Sequence, residues 1–143
     1  MRLDPVACRL RLADSRSAHL ATTDAHGQPH IVPVTHAVED DVVVTGVDRK
    51  PKASTDLKRL RNIAENPRVS ILCDHYEDDW TQLWWVRADG TATVEHDGAT
   101  WQAAVGQLVA KYPQYRDQPP RGPMIVVRIA RWTGWAYAPV GAQ

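Results

Sequence analysis

The sequence predicts a mainly β, α+β fold: a half-open barrel of six mostly antiparallel strands with helices on its flanks. Three observations predict it. Apolar residues alternate with period two in short stretches such as Val69, Ile71 and Cys73. Turn signals of the Asp-Ala-His-Gly type at 24–27 separate neighbouring stretches by hairpin distances. Three segments of helical spacing interrupt the strands in the order αβββαββαβ, which suits a curled antiparallel sheet rather than a parallel one.

The elements follow in order. Asp4-Pro5 supplies an N-cap and a first-turn proline, and Leu3, Val6, Ala7 and Leu10 recur behind it as the inward face of a short helix. Residues 17–23 form a strand and 28–38 a second. Pro29 and Pro33 share one face of that second strand and remove ladder donors, so it is expected to be bulged or to lie at an edge. Glu39-Asp40-Asp41 turns into a third strand at 42–47. A second helix, capped near Ser54 or Thr55, turns Leu57, Leu60 and Ile63/Ala64 inward and Lys58, Arg59 and Arg61 elsewhere; Asn66-Pro67 ends it. After the Val69–Cys73 strand, Tyr76-Glu77-Asp78-Asp79 forms an acidic loop and a long strand starts near Trp80. Asp89-Gly90 reads either as a hairpin turn or as a glycine bulge within one bent strand. A third helix runs from Asp97 with Trp101, Ala104/Val105, Leu108 and Tyr112 on one face. A loop with four prolines fills 113–123, and the last strand runs from Met124 to about Tyr137. No repeat or linker divides the chain, so residues 1–143 are expected to be one domain.

Composition excludes several classes. Seventeen basic residues balance seventeen acidic ones, so no global field favours a nucleic-acid partner. The apolar runs are too short to cross a bilayer, and the opening Met-Arg-Leu-Asp-Pro lacks an apolar signal core. Cys8 and Cys73 are too few for a disulfide framework and read as reduced thiols of a cytoplasmic protein. The glycines form neither a dinucleotide fingerprint nor a P-loop, and neither a nucleophile elbow nor a His-Glu-x-x-His helix is present. Asp74 to Asp79 has no standard ligand spacing, so no metal site is expected.

Three features carry chemistry. Only four of the seventeen basic residues are Lys, yet Lys50, Lys52 and Lys58 fall within nine residues, with Arg49, Arg59 and Arg61 beside them. His30 and His36 share a strand face with Val32 and Val34, as a pocket-lining pair or as hydrogen-bonded core histidines. The chain has six Trp and no Phe, and Trp84-Trp85 on a strand must point to opposite faces. One of that pair is free to face a groove or a partner, whereas core packing accounts for at least half of the tryptophans.

Taken in order, Leu20–Val34 (LATTDAHGQPHIVPV), Arg49-Lys-Pro-Lys52, Leu57–Ile63, Asn66–Ser70, Trp85-Val-Arg87, Gly90 and Arg131–Trp135 resemble the pyridoxamine 5′-phosphate oxidase-like split barrels. The likeness covers residues 5–138, and within the superfamily it is most similar to the actinobacterial coenzyme F420-dependent oxidoreductases. It implies a six-stranded antiparallel split β-barrel (an FMN-binding split barrel), working as a homodimer with two cofactors at the interface. It also favours the bulge at Gly90 over the hairpin. The implied phosphate-region residues are Thr45, Asp48, Arg49, Lys50, Lys52 and Lys58; the stretch between Lys50 and Lys58 leaves open which lysine makes the principal contact. The implied ring lies along Pro33 and Thr35, with Trp85 and Arg87 on the ring or tail side.

The resemblance implies hydride transfer between a reduced deazaflavin (coenzyme F420) and an unsaturated organic small molecule; the candidate proton donors are His36 and, equally, solvent. FMN in place of F420, and an F420-binding or storage protein without turnover, are the alternatives. Charge-assisted phosphate contacts are worth roughly 1.5–3 kcal/mol each, so a basic turn leading into a helix N-terminus suits a phosphorylated cofactor.

Overall fold

The computed structural model describes residues 1–47 and 57–137. Among them, seven strands form one sheet: β1 (Ala18–Thr23), β2 (Pro29–Val34), β3 (Ala37–Glu39), β4 (Val42–Gly46), β5 (Arg68–His75), β6 (Trp84–Glu95) and β7 (Met124–Ala136). The helices are α1 (Pro5–Asp14), α2 (Lys58–Glu65), α3 (Gly98–Lys111) and a single turn, α4 (Gln114–Asp117). Every strand pairing is antiparallel, in the order β2-β1-β5-β6-β7-β4-β3.

The strand expected at 28–38 is therefore two strands, which raises the count from six to seven. The break falls at Thr35-His36, and it explains the barrel. β2 and β3 are the two edges of the sheet, yet only these two residues connect them, so the sheet must curl until its ends meet. The expected edge position of the Pro29/Pro33 strand holds, since β2 pairs on one side only, with β1.

Apolar alternation fills the interior. Leu20, Val43, Ile71, Val86 and Val127 are all buried inside the curl. A second cluster on the outside of β4 and β7 places Val44, Met124 and Val126 beneath Ala104, Leu108 and Tyr112, the face expected for α3. The irregularity at Asp89/Gly90 is a bulge, with Ala130 the extra residue on β7. It resets the alternation: Ile125, Val127 and Ile129 point inward before it, Trp132 and Ala136 after it. Gly90 is required there, because a Cβ would lie 2.3 Å from the Arg128 carbonyl oxygen.

Three local expectations are corrected. α1 begins at the Asp4 cap as expected, but it buries Cys8 and Leu12 while Val6 and Leu10 stay exposed. Leu3, Cys8 and Leu12 all join the barrel core, and that larger contact overrides the local pattern. α2 starts at Lys58 behind Leu57, with no side-chain cap; Ser54 and Thr55 lie outside the described residues. Residues 80–82 form a 3₁₀ turn capped by Asp79, and the long strand begins at Trp84.

Candidate functional site

The outward face of β2, β1, β5 and β6 carries the site, and register alone places its side chains. One cross-strand row runs Pro33, His19, Leu72, Arg87 and Thr133. The next runs Ile31, Ala21, Ser70, Asp89 and Arg131, and on the far side of the first row Asp74, Trp85 and Trp135 align. Opposed residues in an antiparallel sheet share a face, so these rows form one surface. Two clefts of about 430 and 540 Å³ lie on it and share Ala21 and Ser70. The two clefts adjoin at these residues along one face and are together the groove of this sheet. One end holds Thr23, Pro29 and Arg68; the other holds Tyr76, Trp85 and Arg87.

The structure thus brings Trp85 and Arg87 together in one cleft and places Pro33 on the same face, three strands away on β2. Trp84 and Trp85 do point to opposite faces: Trp84 packs on the core under Arg11, whose guanidinium sits 4.9 Å from its ring centroid, and Trp85 lines the groove. Arg87 stands 6.0 Å over the Trp85 ring, and its Nε donates to Asp89 Oδ2 at 3.3 Å. Ser70 Oγ donates to Asp89 Oδ1 at 2.6 Å.

Lys58 approaches the other end of the groove. Its Nζ is 3.5 Å from Asp24 Oδ2, and Asp24 directly follows the groove residue Thr23. The backbone N–H groups of Gln28 and His26, with Lys58 beyond them, hold the Asp24 carboxyl below the usual range. Buried Asn62 fastens α2 to β1 by donating to Thr22 Oγ1 at 3.0 Å, while Asn66 donates to Thr23 Oγ1 at 2.9 Å. These bonds fix where the basic helix starts. Asp48, Arg49, Lys50 and Lys52 lie outside the described residues.

The remaining expected residues stand apart from the groove. Thr45 follows the inward parity of Val43, is 1% exposed, and its Oγ1 has no hydrogen-bond partner among the described residues. Thr35 lies past the end of β2 with its hydroxyl 2.8 Å from that of Tyr115. His36 is fully buried at the seam between β2 and β3. Its Nε2 donates to the Leu12 carbonyl at 2.7 Å, with Lys111 Nζ 3.4 Å away. Burial above all, with Lys111 and Arg16 adding repulsion, pushes its pKa down to about 4. That placement speaks against proton donation by His36 and for a packed, neutral core histidine.

Tyr112 and Lys111 complete the seam. The Tyr112 hydroxyl accepts from His36 N at 3.1 Å and donates to the Arg16 carbonyl at 2.9 Å; Lys111 Nζ donates to the Ser15 carbonyl at 2.7 Å. Burial, then the neighbouring Arg16, lowers the Lys111 pKa to about 8.

Sequence reasoning missed His19, Arg68, Ser70, Asp74 and Asp89. The inward set Val69, Ile71 and Cys73 marks their β5 members by complement, since Arg68, Ser70, Leu72 and Asp74 occupy the alternate positions.

A curled antiparallel sheet whose two edge strands are joined by a two-residue link, with a groove across one outer face, defines a split β-barrel. The chain belongs to the pyridoxamine 5′-phosphate oxidase family, whose profile matches residues 5–136. Over 58 residues it is 36% identical to the 5a,11a-dehydrotetracycline/5a,11a-dehydrooxytetracycline reductase of Streptomyces rimosus subsp. rimosus, a stretch spanning 38% of this chain and 37% of that protein. A conserved hypothetical protein from Mycobacterium tuberculosis superposes with a TM-score of 0.77 over 99% of this chain and 89% of its own, at 19% identity. A FAD-binding protein from Mesorhizobium loti superposes with a TM-score of 0.73 over 94% and 95%, at 20% identity. At such identities the two structures share the fold. No described helix is long and apolar enough to cross a membrane, and the described residues contain no cluster suited to a metal ion.

Proposed function

We propose that this protein is a deazaflavin (coenzyme F420)-dependent oxidoreductase that transfers hydride between the reduced cofactor and an unsaturated organic small molecule, working as a homodimer. The groove carries this reading: cationic Arg68 marks one end, with Lys58 close by on Asp24, and the Trp85 ring with Arg87 marks the other. Such a groove suits an elongated ligand with a phosphate at one end and a planar ring at the other. When bound, the cofactor supplies the hydride chemistry.

The chain's own residues bind and orient. Arg68 and Lys58, with the basic residues Arg49, Lys50 and Lys52 that precede Lys58 in sequence, hold the anionic end by charge-assisted hydrogen bonds. Leu72 and Trp85 offer apolar and aromatic surface to the ring, with Arg87 beside them and Pro33 farther along the same face on β2. His19 sits in the row between Pro33 and Leu72, so its imidazole is the one placed to pass a proton to a substrate in the groove. Ile31, Tyr76 and Trp80 are exposed on or beside this face, at 61%, 66% and 69%, and a second copy laid over them excludes water from the ring. Cys8 and Cys73 are free and buried, and burial raises both thiols, so they suit a reducing cytoplasm as inert core residues.

The partial identity with a reductase supports turnover rather than storage. Titration of the purified protein with F420 and with FMN tests the assignment. Tighter binding of F420, weakening as salt rises because its charged tail adds ionic contacts, is the expected result. Equal or better binding of FMN with no salt dependence sinks it. Oxidation of the reduced F420 complex by an unsaturated substrate, followed spectroscopically, then separates an enzyme from a carrier.

A further inference from the structure

Asp89 is the least explained side chain in the groove. It sits at the bulge, midway along the groove, with Ser70 on one carboxylate oxygen and Arg87 on the other. An ionised carboxylate offers about four acceptor sites, and these two bonds use two of them. Its side chain is 33% exposed, and it opens on the part of the groove where the two clefts join at Ser70. Arg87 offsets its charge, and its guanidinium carries further N–H donors beyond the one that Asp89 takes. The middle of the groove therefore presents fixed acceptors beside fixed donors, between a cationic end and an aromatic end.

Such a centre repels an anion and accepts hydroxyl donors. Along β5 the rows of Arg68, Ser70 and Leu72 are two residues apart, and each step advances roughly 6.7 Å. The Asp89 row thus stands one step from the phosphate end and one step from the ring end, where a short linker would cross it. We infer that Asp89, positioned by Ser70 and paired with Arg87, recognises vicinal hydroxyls of the polyol chain joining the phosphate to the ring. The inference rests on the cofactor reading above and assigns a specificity-determining residue to it. The bulge explains how the carboxylate comes to be held there. It shifts the β6 register against β7 at Asp89, and Gly90 lets the β7 backbone come close beneath.

The test compares F420 and FMN with their ring systems carrying only a methyl group in place of the polyol phosphate. Binding is read by fluorescence for the full-length wild type, Asp89→Ala and Asp89→Asn. Asp89→Ala is expected to bind F420 and FMN about tenfold more weakly and Asp89→Asn to lose less, with affinity for the polyol-free rings unchanged in both. Retained binding of those rings also shows that the variants are folded. Equal loss for the polyol-free rings, or no loss for F420 and FMN, overturns the assignment of Asp89. Failure of wild-type protein to bind either cofactor instead overturns the reading on which it rests.

Discussion

Acidification from pH 7 to pH 5 should destabilise this protein through one buried residue, His36. The imidazole is fully buried at the barrel seam, with Leu12, Arg16, Lys111 and Tyr112 around it, and its folded pKa is about 4 against 6.5 in an unfolded chain. Between those values the unfolded chain binds a proton that the folded chain refuses. Stability from this group is therefore complete above pH 6.5 and is lost as pH falls toward 4. The full gap is worth roughly 3 kcal/mol, and the part falling between pH 7 and 5 about 2 kcal/mol. The lowered carboxyls of Asp24 and Asp79 act below their ordinary 3.8 and so outside this interval. Urea unfolding followed by tryptophan fluorescence measures the effect, and His36→Gln isolates it by retaining a donor toward Leu12 without a titrating ring. Wild type should lose about 2 kcal/mol over the interval and the variant far less. An equal loss in both would refute the reasoning.

Tyr112→Phe removes the hydroxyl that bonds His36 N and the Arg16 carbonyl across the seam, so the urea midpoint should fall by an amount equivalent to about 1–3 kcal/mol, with the slope unchanged. An unaltered midpoint would show that the seam does not depend on this bond. Gly90→Ala forces a Cβ to within 2.3 Å of the Arg128 carbonyl oxygen and should cost about 1–3 kcal/mol in thermal unfolding. A wild-type melting temperature would mean that β7 yields freely at the bulge. Ile31→Asp places a charge on the groove face and should shift sedimentation from dimer to monomer. A wild type that sediments as a monomer, or a variant that remains dimeric, places the interface elsewhere or removes it.

The sequence showed most of the fold because its signals are local. The Asp4 cap, the Val69–Ile71–Cys73 alternation and the Ala104–Leu108–Tyr112 stripe each act within a few residues, and each element formed where they lie. The errors came where distant contacts decide. Val6 and Leu10 look like the inner face of α1 until the barrel offers more contact to Cys8 and Leu12. The 28–38 segment alternates well enough for one strand, and only closure of the sheet splits it at Thr35-His36. The groove was the hardest part to read. Pro33, Trp85 and Arg87 entered through family likeness, whereas His19, Ser70 and Asp89 join them only through the register of four strands. His36 illustrates the converse: a histidine beside prolines and valines reads as a pocket residue or, more readily, as core, and burial against Leu12 decides it.

The central claim is that the cofactor lies along the outer face of β2, β1, β5 and β6. A crystal structure of the protein with F420 tests it most directly. The phosphate is expected against Arg68 and Lys58, the ring beside Trp85 and Arg87, and a second copy of the chain over Ile31. F420 bound inside the barrel beside Thr45, or on the α3 face over Val44 and Val126, would contradict it.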